Sequence, residues 1–305
     1  MREQRTLHLR LMTYNIGGAR RDFGSALPDV IKVINEESPD ILVVQEAKDY
    51  QDANGVWQRG DLIQIAQAGG FGNKYRFMPT LSMQEHMHVG KTLFVRSIFE
   101  DKQDWQQGYA IFSRWEFARL GDPQQTGEPR NVPLYRTPLY QGNRDTEPRY
   151  ALLARIQKEP IYPFVIGVHF TTLVGERKKE GGPWPLPDKA KEAQDLRVEQ
   201  AKRLIDLLDK HVLEAEEVIF LLGDFNAVPG EPCISSVLEN EGFERLVPTR
   251  GPSVTHLKLK VREPIDHILV YPRNRLASYD CWIVDSPTAR RASDHLPVVA
   301  DVKVR

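Results

Sequence analysis

The stretch Val218–Gly230, VIFLLGDFNAVPG, constrains this chain more than any other. Its five consecutive apolar residues, Val218–Leu222, predict a strand buried on both faces. A strand with no polar face has to be covered on both sides, which already asks for a layered core. Gly223 then lets the chain carry Asp224 and Asn226 out of the strand end. Residues two apart in extended chain point the same way, so a carboxylate and a carboxamide would face a common site. Ala227-Val228-Pro229-Gly230 closes the segment with turn chemistry.

The remaining chain supplies the other layers. Leu7–Ile16 (LHLRLMTYNI) alternates apolar and polar residues at its start and predicts a strand ending at Asn15, before Gly17-Gly18. Leu27, Val30, Ile31 and Ile34 recur at helical spacing, and Ser38-Pro39 closes that helix. Ile41–Val44 predicts a short buried strand ending in Gln45-Glu46, so Asn15 and Glu46 each sit at a strand exit. Asp49–Gln107 is less regular, with a strand expected at Tyr75–Leu81; Tyr109–Phe112 follows as another. Gly121–Pro148 is rich in proline and arginine, has no period, and reads as a rim loop. Strands are expected at Tyr150–Ile156 and Phe164–Thr172, the second placing Gly167, His169 and Thr171 on one face. A charged Pro/Gly loop, Gly175–Asp188, leads to a helix capped by Asp188 with the stripe Val198, Ala201, Ile205, Leu208 and Val212. A helix near Ile234–Glu241 and strands at Val254–Leu259, Ile265–Val270, Cys281–Val284 and Val298–Val304 complete the chain. No repeat or linker divides it, so residues 1–305 are expected to form one mixed α/β domain, two sheets with outer helices.

Composition narrows the setting. The chain has no apolar run long enough to span a bilayer and no basic-then-apolar leader, so a soluble, cytoplasmic protein is expected. Two cysteines, Cys233 and Cys281, make no disulfide framework and read as reduced thiols. A formal charge of −1 argues against a globally basic nucleic-acid binder while leaving room for a local basic patch.

An Asn or Asp after one strand is ordinarily a turn residue, and one strand histidine is ordinarily structural. Recurrence changes that weighing. Asn15, Glu46, His169, Asp224 with Asn226, Asp266, and Asp294 with His295 all fall at or just beyond expected strand ends. One convergent polar site explains the recurrence. Its inventory is oxygen and imidazole with no thiolate, and Glu46, Asn15 and Asp294 suit a hard cation, Mg²⁺ or Mn²⁺. Asn226 and His169 can donate to an anionic oxygen, and Asp224 can orient or deprotonate a water. His295 beside Asp266 would form a carboxylate–imidazole pair. Metal, anion donors and a positioned base together describe phosphoryl-ester hydrolysis.

The segments YNIGG (Tyr14–Gly18), PDILVVQE (Pro39–Glu46), VHFTT (Val168–Thr172), GDFNAVPG (Gly223–Gly230), PIDHILV (Pro264–Val270) and SDHLPVVADV (Ser293–Val302) occur in one order along nearly the whole chain. In that order the chain resembles the endonuclease/exonuclease/phosphatase superfamily, which includes pancreatic-type deoxyribonucleases, neutral sphingomyelinases, inositol-polyphosphate phosphatases and AP endonucleases. The resemblance implies a four-layered α/β/β/α sandwich, DNase I-like, with both sheets meeting at the active-site edge. It implies Glu46 as principal metal ligand, with Asn15 and Asp294 near the metal shell. Asp224 and Asn226 match the pair handling attacking water and scissile phosphate, His169 a phosphate-contacting histidine, and Asp266 with His295 the acid–histidine pair. The AP-endonuclease branch has asparagine at the place of His169 and Arg-Ile-Asp-Tyr at the place of Pro264-Ile265-Asp266-His267. Those departures lean toward the deoxyribonuclease, sphingomyelinase and deadenylase-like side.

The expected activity is metal-dependent hydrolysis of phosphodiesters, with DNA, RNA or nucleotides as partners. The alternatives are a phosphomonoesterase or phospholipase C-type hydrolase on a small sugar, inositol or lipid headgroup, and a phosphate-binding scaffold without catalysis. Substrate contacts are expected from the rim. Arg149 opens a strand near the active edge, and Arg290-Arg291 precede the Ser293-Asp294-His295 motif, from where Arg291 can reach a phosphate. Trp184 can stack on a base or anchor its own loop. Arg177-Lys178-Lys179 reads as a solvated charge run, and His86 and His88 share strand parity suited to a second metal.

Overall fold

The computed structural model describes residues 6–17, 26–52, 54–58, 60–82, 104–135, 146–173, 187–212, 217–259 and 261–305. His86, His88, Trp184 and the Arg177-Lys178-Lys179 run lie outside them. Strand β1 (Leu7–Asn15) buries Leu7, Leu9 and Leu11 while leaving His8 exposed, the alternation read from the sequence. Helix α1 (Leu27–Glu37) starts with a proline in its first turn and buries Leu27, Val30, Val33 and Ile34. Ser38 ends it in a left-handed conformation, φ 49°, with its N–H on the Ile34 carbonyl.

Strand β2 (Ile41–Gln51) is much longer than the run Ile41–Val44 suggests. Its pairing with β4 breaks between Val44 and Ala47, so Gln45 and Glu46 form a bulge, with Glu46 at φ 54°. The strand therefore passes through Glu46 and does not stop there. Helix α2 (Gly60–Ala68) has too short an apolar stripe, Leu62, Ile65 and Ala66, to stand out in the sequence. Strands β3 (Tyr75–Ser82) and β4 (Asp104–Ser113) follow.

The Pro/Arg tract expected to be loop contains strand pairs in its described part. After β5 (Phe117–Arg119), β6 (Asp122–Thr126) pairs with β5, and β7 (Arg130–Pro133) pairs with β8 (Tyr150–Ile156). These are edge strands, where proline and charge are tolerated and no hydrophobic period develops. Strand β10 (Ile219–Asp224) matches its sequence signal, strand β9 (Phe164–His169) stops three residues short of the expected Thr172, and helix α3 (Pro187–His211) begins at Pro187 with Asp188 inside its first turn. The segment Cys233–Leu238 winds as a π-helix. Short β11 (Glu244–Arg245) precedes β12 (Asp266–Tyr271), β13 (Leu276–Ile283), α4 (Pro287–Ala292) and β14 (Val298–Val304). Helix α4, unforeseen, is started by the Ser286 hydroxyl accepting from Ala289 N–H and by Pro287.

The expected strand at 254–259 does not form. Thr255 Oγ1 instead accepts from the N–H groups of Ile265 and Asp266, and His256 Nδ1 accepts from those of Lys258 and Leu259. Side chains thus take the backbone donors that a ladder would use.

The first sheet has the order β13-β14-β1-β2-β4-β3, the second β11-β12-β10-β9-β8-β5-β6 with β7 also on β8. Their inner faces pack on each other. Leu9, Leu11 and Val43 meet Leu152, Val165, Phe220, Leu222 and Ile268 in one core, which continues under α1, α2 and α4. The outer face of the second sheet, including Ile166, Val168, Ile219 and Leu221, packs on Ala201, Leu204 and Leu208 of α3. The result is a four-layered α/β/β/α sandwich. At Gly167 the two sheets cross closely, since a Cβ there would lie 2.8 Å from Val43 Cγ1. Among the described residues no helix is long and apolar enough to cross a membrane.

Candidate active site

Strand register brings the polar ends together. β1 runs parallel to β2, and β9 parallel to β10, so their C-terminal ends lie at one edge of the sandwich. β12 and β14 run antiparallel to β10 and β1, so their N-terminal ends reach the same edge. Asp224 is the cross-strand partner of His169 on one side and of Asp266 on the other. All three are on the inner face, two positions beyond Gly167, Leu222 and, in reverse, Ile268.

Asp224 is the centre of the contacts. Asn15 Nδ2 donates to Asp224 Oδ2 at 3.0 Å and to Glu46 Oε1 at 3.3 Å, joining the two sheets. Asn226, at φ 49°, turns its backbone N–H onto Asp224 Oδ1 at 2.9 Å, while its Nδ2 donates to the Phe170 carbonyl at 3.2 Å. His169 Nε2 lies 3.4 Å and His295 Nε2 3.8 Å from Asp224 Oδ2. The far side of His295, Nδ1, meets Asp266 Oδ2 at 2.9 Å. Ser293 ties this loop to β1, its hydroxyl donating to the Asn15 carbonyl at 2.7 Å and accepting from His295 N–H.

Burial sets the electrostatics. Asp224 is 1% exposed, and that burial, with the Asp266 charge beside it, pushes its carboxyl well above the usual range despite His295 and Asn15. Burial alone would make His295 a weaker base; the carboxylates of Asp266 and Asp224 outweigh it and hold the imidazolium. Asp224 and His295 therefore titrate under each other's charge across 3.8 Å.

The expected metal residues divide into two situations. Glu46 is half-buried at the bulge, its Oε1 on Asn15. Asp294 pairs with Lys258 Nζ at 2.9 Å; burial raises its pKa, but Lys258 and the nearby His295 and His256 bring it far below the carboxylate range. Ligand atoms of Asp224, Asp266 and His295 lie within 4.8 Å of one another and can hold a metal ion. The donor set fits a hard divalent cation. The carboxylates of Asp224 and Asp266 lie in that group, Glu46 shares the Asn15 amide with Asp224, Asp224 is driven toward neutrality, and the buried Asp266 Oδ1 has no hydrogen-bond partner among the described residues.

Of the expected rim residues, Arg149 is buried beside Tyr109, pairs with Glu147 at 2.9 Å, and feels the charge of Asp224. Arg291 lies exposed on α4 and is held by Asp29 of α1 through two hydrogen bonds. Arg290 is likewise held by Asp285. Sequence reasoning passed over Tyr109, Lys258 and His256. The His256 ring packs edge-on against His295 at 4.5 Å, a pairing made by one isolated bridge between distant loops that no local pattern announces.

The model of the Endonuclease/Exonuclease/phosphatase family matches residues 12–295. None of the curated proteins matches the chain. Among solved structures, an endonuclease/exonuclease/phosphatase from Beutenbergia cavernae is similar at 20% identity and TM-score 0.63, over 97% of this chain and 72% of that one. Truncated TDP2 of Caenorhabditis elegans aligns at 14% identity and TM-score 0.57, over 97% of each chain. The mannosyl-6-phosphatase of Bacteroides thetaiotaomicron aligns at 16% identity and TM-score 0.57, over 96% of this chain and 99% of that one. A family match over nearly the whole length, on a sandwich that gathers its polar strand ends at one edge, makes this chain a member of the endonuclease/exonuclease/phosphatase family and a phosphoester hydrolase.

Proposed function

We propose that the chain, acting as one domain over residues 1–305, hydrolyses phosphodiester bonds of nucleic acid or nucleotides by in-line attack of water. The observation that carries this reading is the His295 imidazole, fixed by Asp266 and aimed at Asp224. Asp224 orients the attacking water, its own carboxylate held by Asn15 and the Asn226 N–H. The proton leaving that water is taken by Asp224 in its carboxylate form, made a stronger base by burial and the Asp266 charge, while the His295 imidazolium beside it stays protonated. Asn226 and His169 flank the same point and donate to phosphate oxygens, with Arg149 supplying buried positive charge behind them. Glu46 would hold Mg²⁺ or Mn²⁺, with Asn15 and Asp294 in its surroundings. When bound, the cation supplies charge neutralisation at the phosphate.

The experiment is a panel of DNA, RNA and bis(p-nitrophenyl) phosphate with each metal, using Asp224→Asn as the blank. No hydrolysis of any member with either metal would remove the reading. A phosphomonoesterase or phospholipase C-type action on a small phosphorylated sugar, inositol or lipid headgroup is the second reading. It is favoured by Arg291 and Arg290 being tied to Asp29 and Asp285, so that neither guanidinium is turned to a second phosphate of a polymeric substrate. Phosphorylated sugars, inositols and lipid headgroups in the same panel decide between the two. A cytoplasmic setting belongs to the proposal and is supported by Cys233 and Cys281, both buried free thiols.

A further inference from the structure

Helix α3 is charged and largely solvated, yet its Arg197 is 0% exposed. The guanidinium donates to Glu231 Oε2 from Nη2 at 2.8 Å and from Nε at 3.1 Å. Its third nitrogen reaches the carbonyls of Thr171 and Thr172 at 3.2 and 3.4 Å. A buried ion pair is a poor device for stability, because desolvation offsets the attraction and apolar replacements of like volume fold as well or better. What a rigid five-donor fork does well is fix several acceptors in one geometry. Here the acceptors belong to the two loops that carry the site.

We propose that Arg197, with Gln200 and Glu231, is a positioning unit that sets the reacting ends of β9 and β10 relative to each other. Two routes converge on Asn226. From the β9 side, Gln200 accepts from Thr171 N–H at 2.9 Å and donates to its hydroxyl at 2.6 Å, while Arg197 takes the next two carbonyls. Thr171 so held fixes Phe170, whose N–H donates to the Asp224 carbonyl and whose own carbonyl accepts the Asn226 amide. From the β10 side, Glu231 Oε1 accepts from Val228 N–H at 3.3 Å, closing the turn that follows Asn226. The same fixed loop anchors the strand end that bears His169. This unit touches no reacting atom and acts through Asn226 and His169.

The inference rests on the roles proposed for those two residues, and its test reads geometry separately from turnover. The variant is Arg197→Met/Glu231→Leu in the full chain, which removes both charges together, with Arg197→Lys as a second that keeps the pairing with Glu231 but not the fork. Melting temperature, kcat and KM toward bis(p-nitrophenyl) phosphate, and the ¹⁵N-correlated imidazole signal of His169 are measured, with exposed His8 as reference. The double variant is expected to melt near the parent temperature, to lose about 10²-fold in kcat with KM nearly constant, and to split or broaden the His169 signal. Arg197→Lys is expected to fold and to lose about tenfold in kcat. An unchanged kcat, or an unaltered His169 signal in a folded variant, overturns the proposal. If the parent hydrolyses nothing, the functional reading fails by itself, and the His169 signal alone decides whether the loops are held as described.

Discussion

His267 ties the stability of the fold to pH. Its imidazole is 2% exposed, packs edge-on against Phe225 with centroids 5.5 Å apart, and meets the Ala227 carbonyl through Nε2 at 2.8 Å. Burial brings its pKa from the usual 6.5 down to about 4, the Ala227 carbonyl opposing and Arg245 assisting. The folded chain therefore keeps His267 neutral where the unfolded chain takes up a proton. The associated stability is fully present above pH 6.5 and is lost as pH falls from 6.5 to about 4, below which both states are protonated. At 1.36 kcal/mol per pH unit, that window corresponds to about 3 kcal/mol, a large part of a typical total of about 5–15 kcal/mol. His267→Gln keeps a donor for Ala227 and removes the titration. Urea unfolding of both proteins between about pH 7.5 and about pH 4.5 gives the difference directly, since the other titrating groups are common to both. The parent should lose about 2.5 kcal/mol more than the variant over that range. Parallel stability curves would refute the reasoning, because they would mean that the folded state protonates His267 as readily as the unfolded one.

Gly223→Ala should destabilise the chain by about 1–3 kcal/mol or prevent folding, because its Cβ would sit 2.1 Å from the Val168 carbonyl oxygen; a thermal melt measures it. Chelation with EDTA should abolish hydrolysis while leaving the circular dichroism spectrum intact, and Mg²⁺ or Mn²⁺ should restore it. His295→Ala should lower kcat by about 10²–10⁴-fold at unchanged fold, a loss read by steady-state kinetics on whichever panel member is hydrolysed. Arg291→Ala should leave KM nearly unchanged, since its guanidinium is already held by Asp29.

Much of the sandwich was legible because its central strands are buried on both faces, and such strands read as unbroken apolar runs. Val218–Leu222 and Ile41–Val44 are of this kind. The edges were not legible. β6 and β7 carry glutamines, prolines and arginines whose fate depends on which strand lies beside them, and the sequence does not state that. Residues 254–259 look like a strand by alternation, yet Thr255 and His256 spend their side chains on neighbouring amides. The site divides in the same way. Groups at strand ends, Asn15, His169, Asp224 and Asp266, follow from the register of long strands. Contacts closed by ion pairs between distant loops, such as Lys258 with Asp294 and Arg291 with Asp29, depend on tertiary placement.

The bulge in β2 has a consequence for anyone who would make this protein more robust. Glu46 holds a backbone conformation in which an L side chain is strained by about 1–3 kcal/mol and a glycine is not. A glycine there also gains freedom in the unfolded chain, so Glu46→Gly should raise stability by only about 1 kcal/mol. It would at the same time delete the carboxylate proposed to carry the cation. Selection for heat resistance, applied blindly at this position, would favour a sturdier and idle molecule. An unfolding curve and an activity assay moving in opposite directions for that one variant would show how much folding free energy the sandwich gives up to point a carboxylate at its edge.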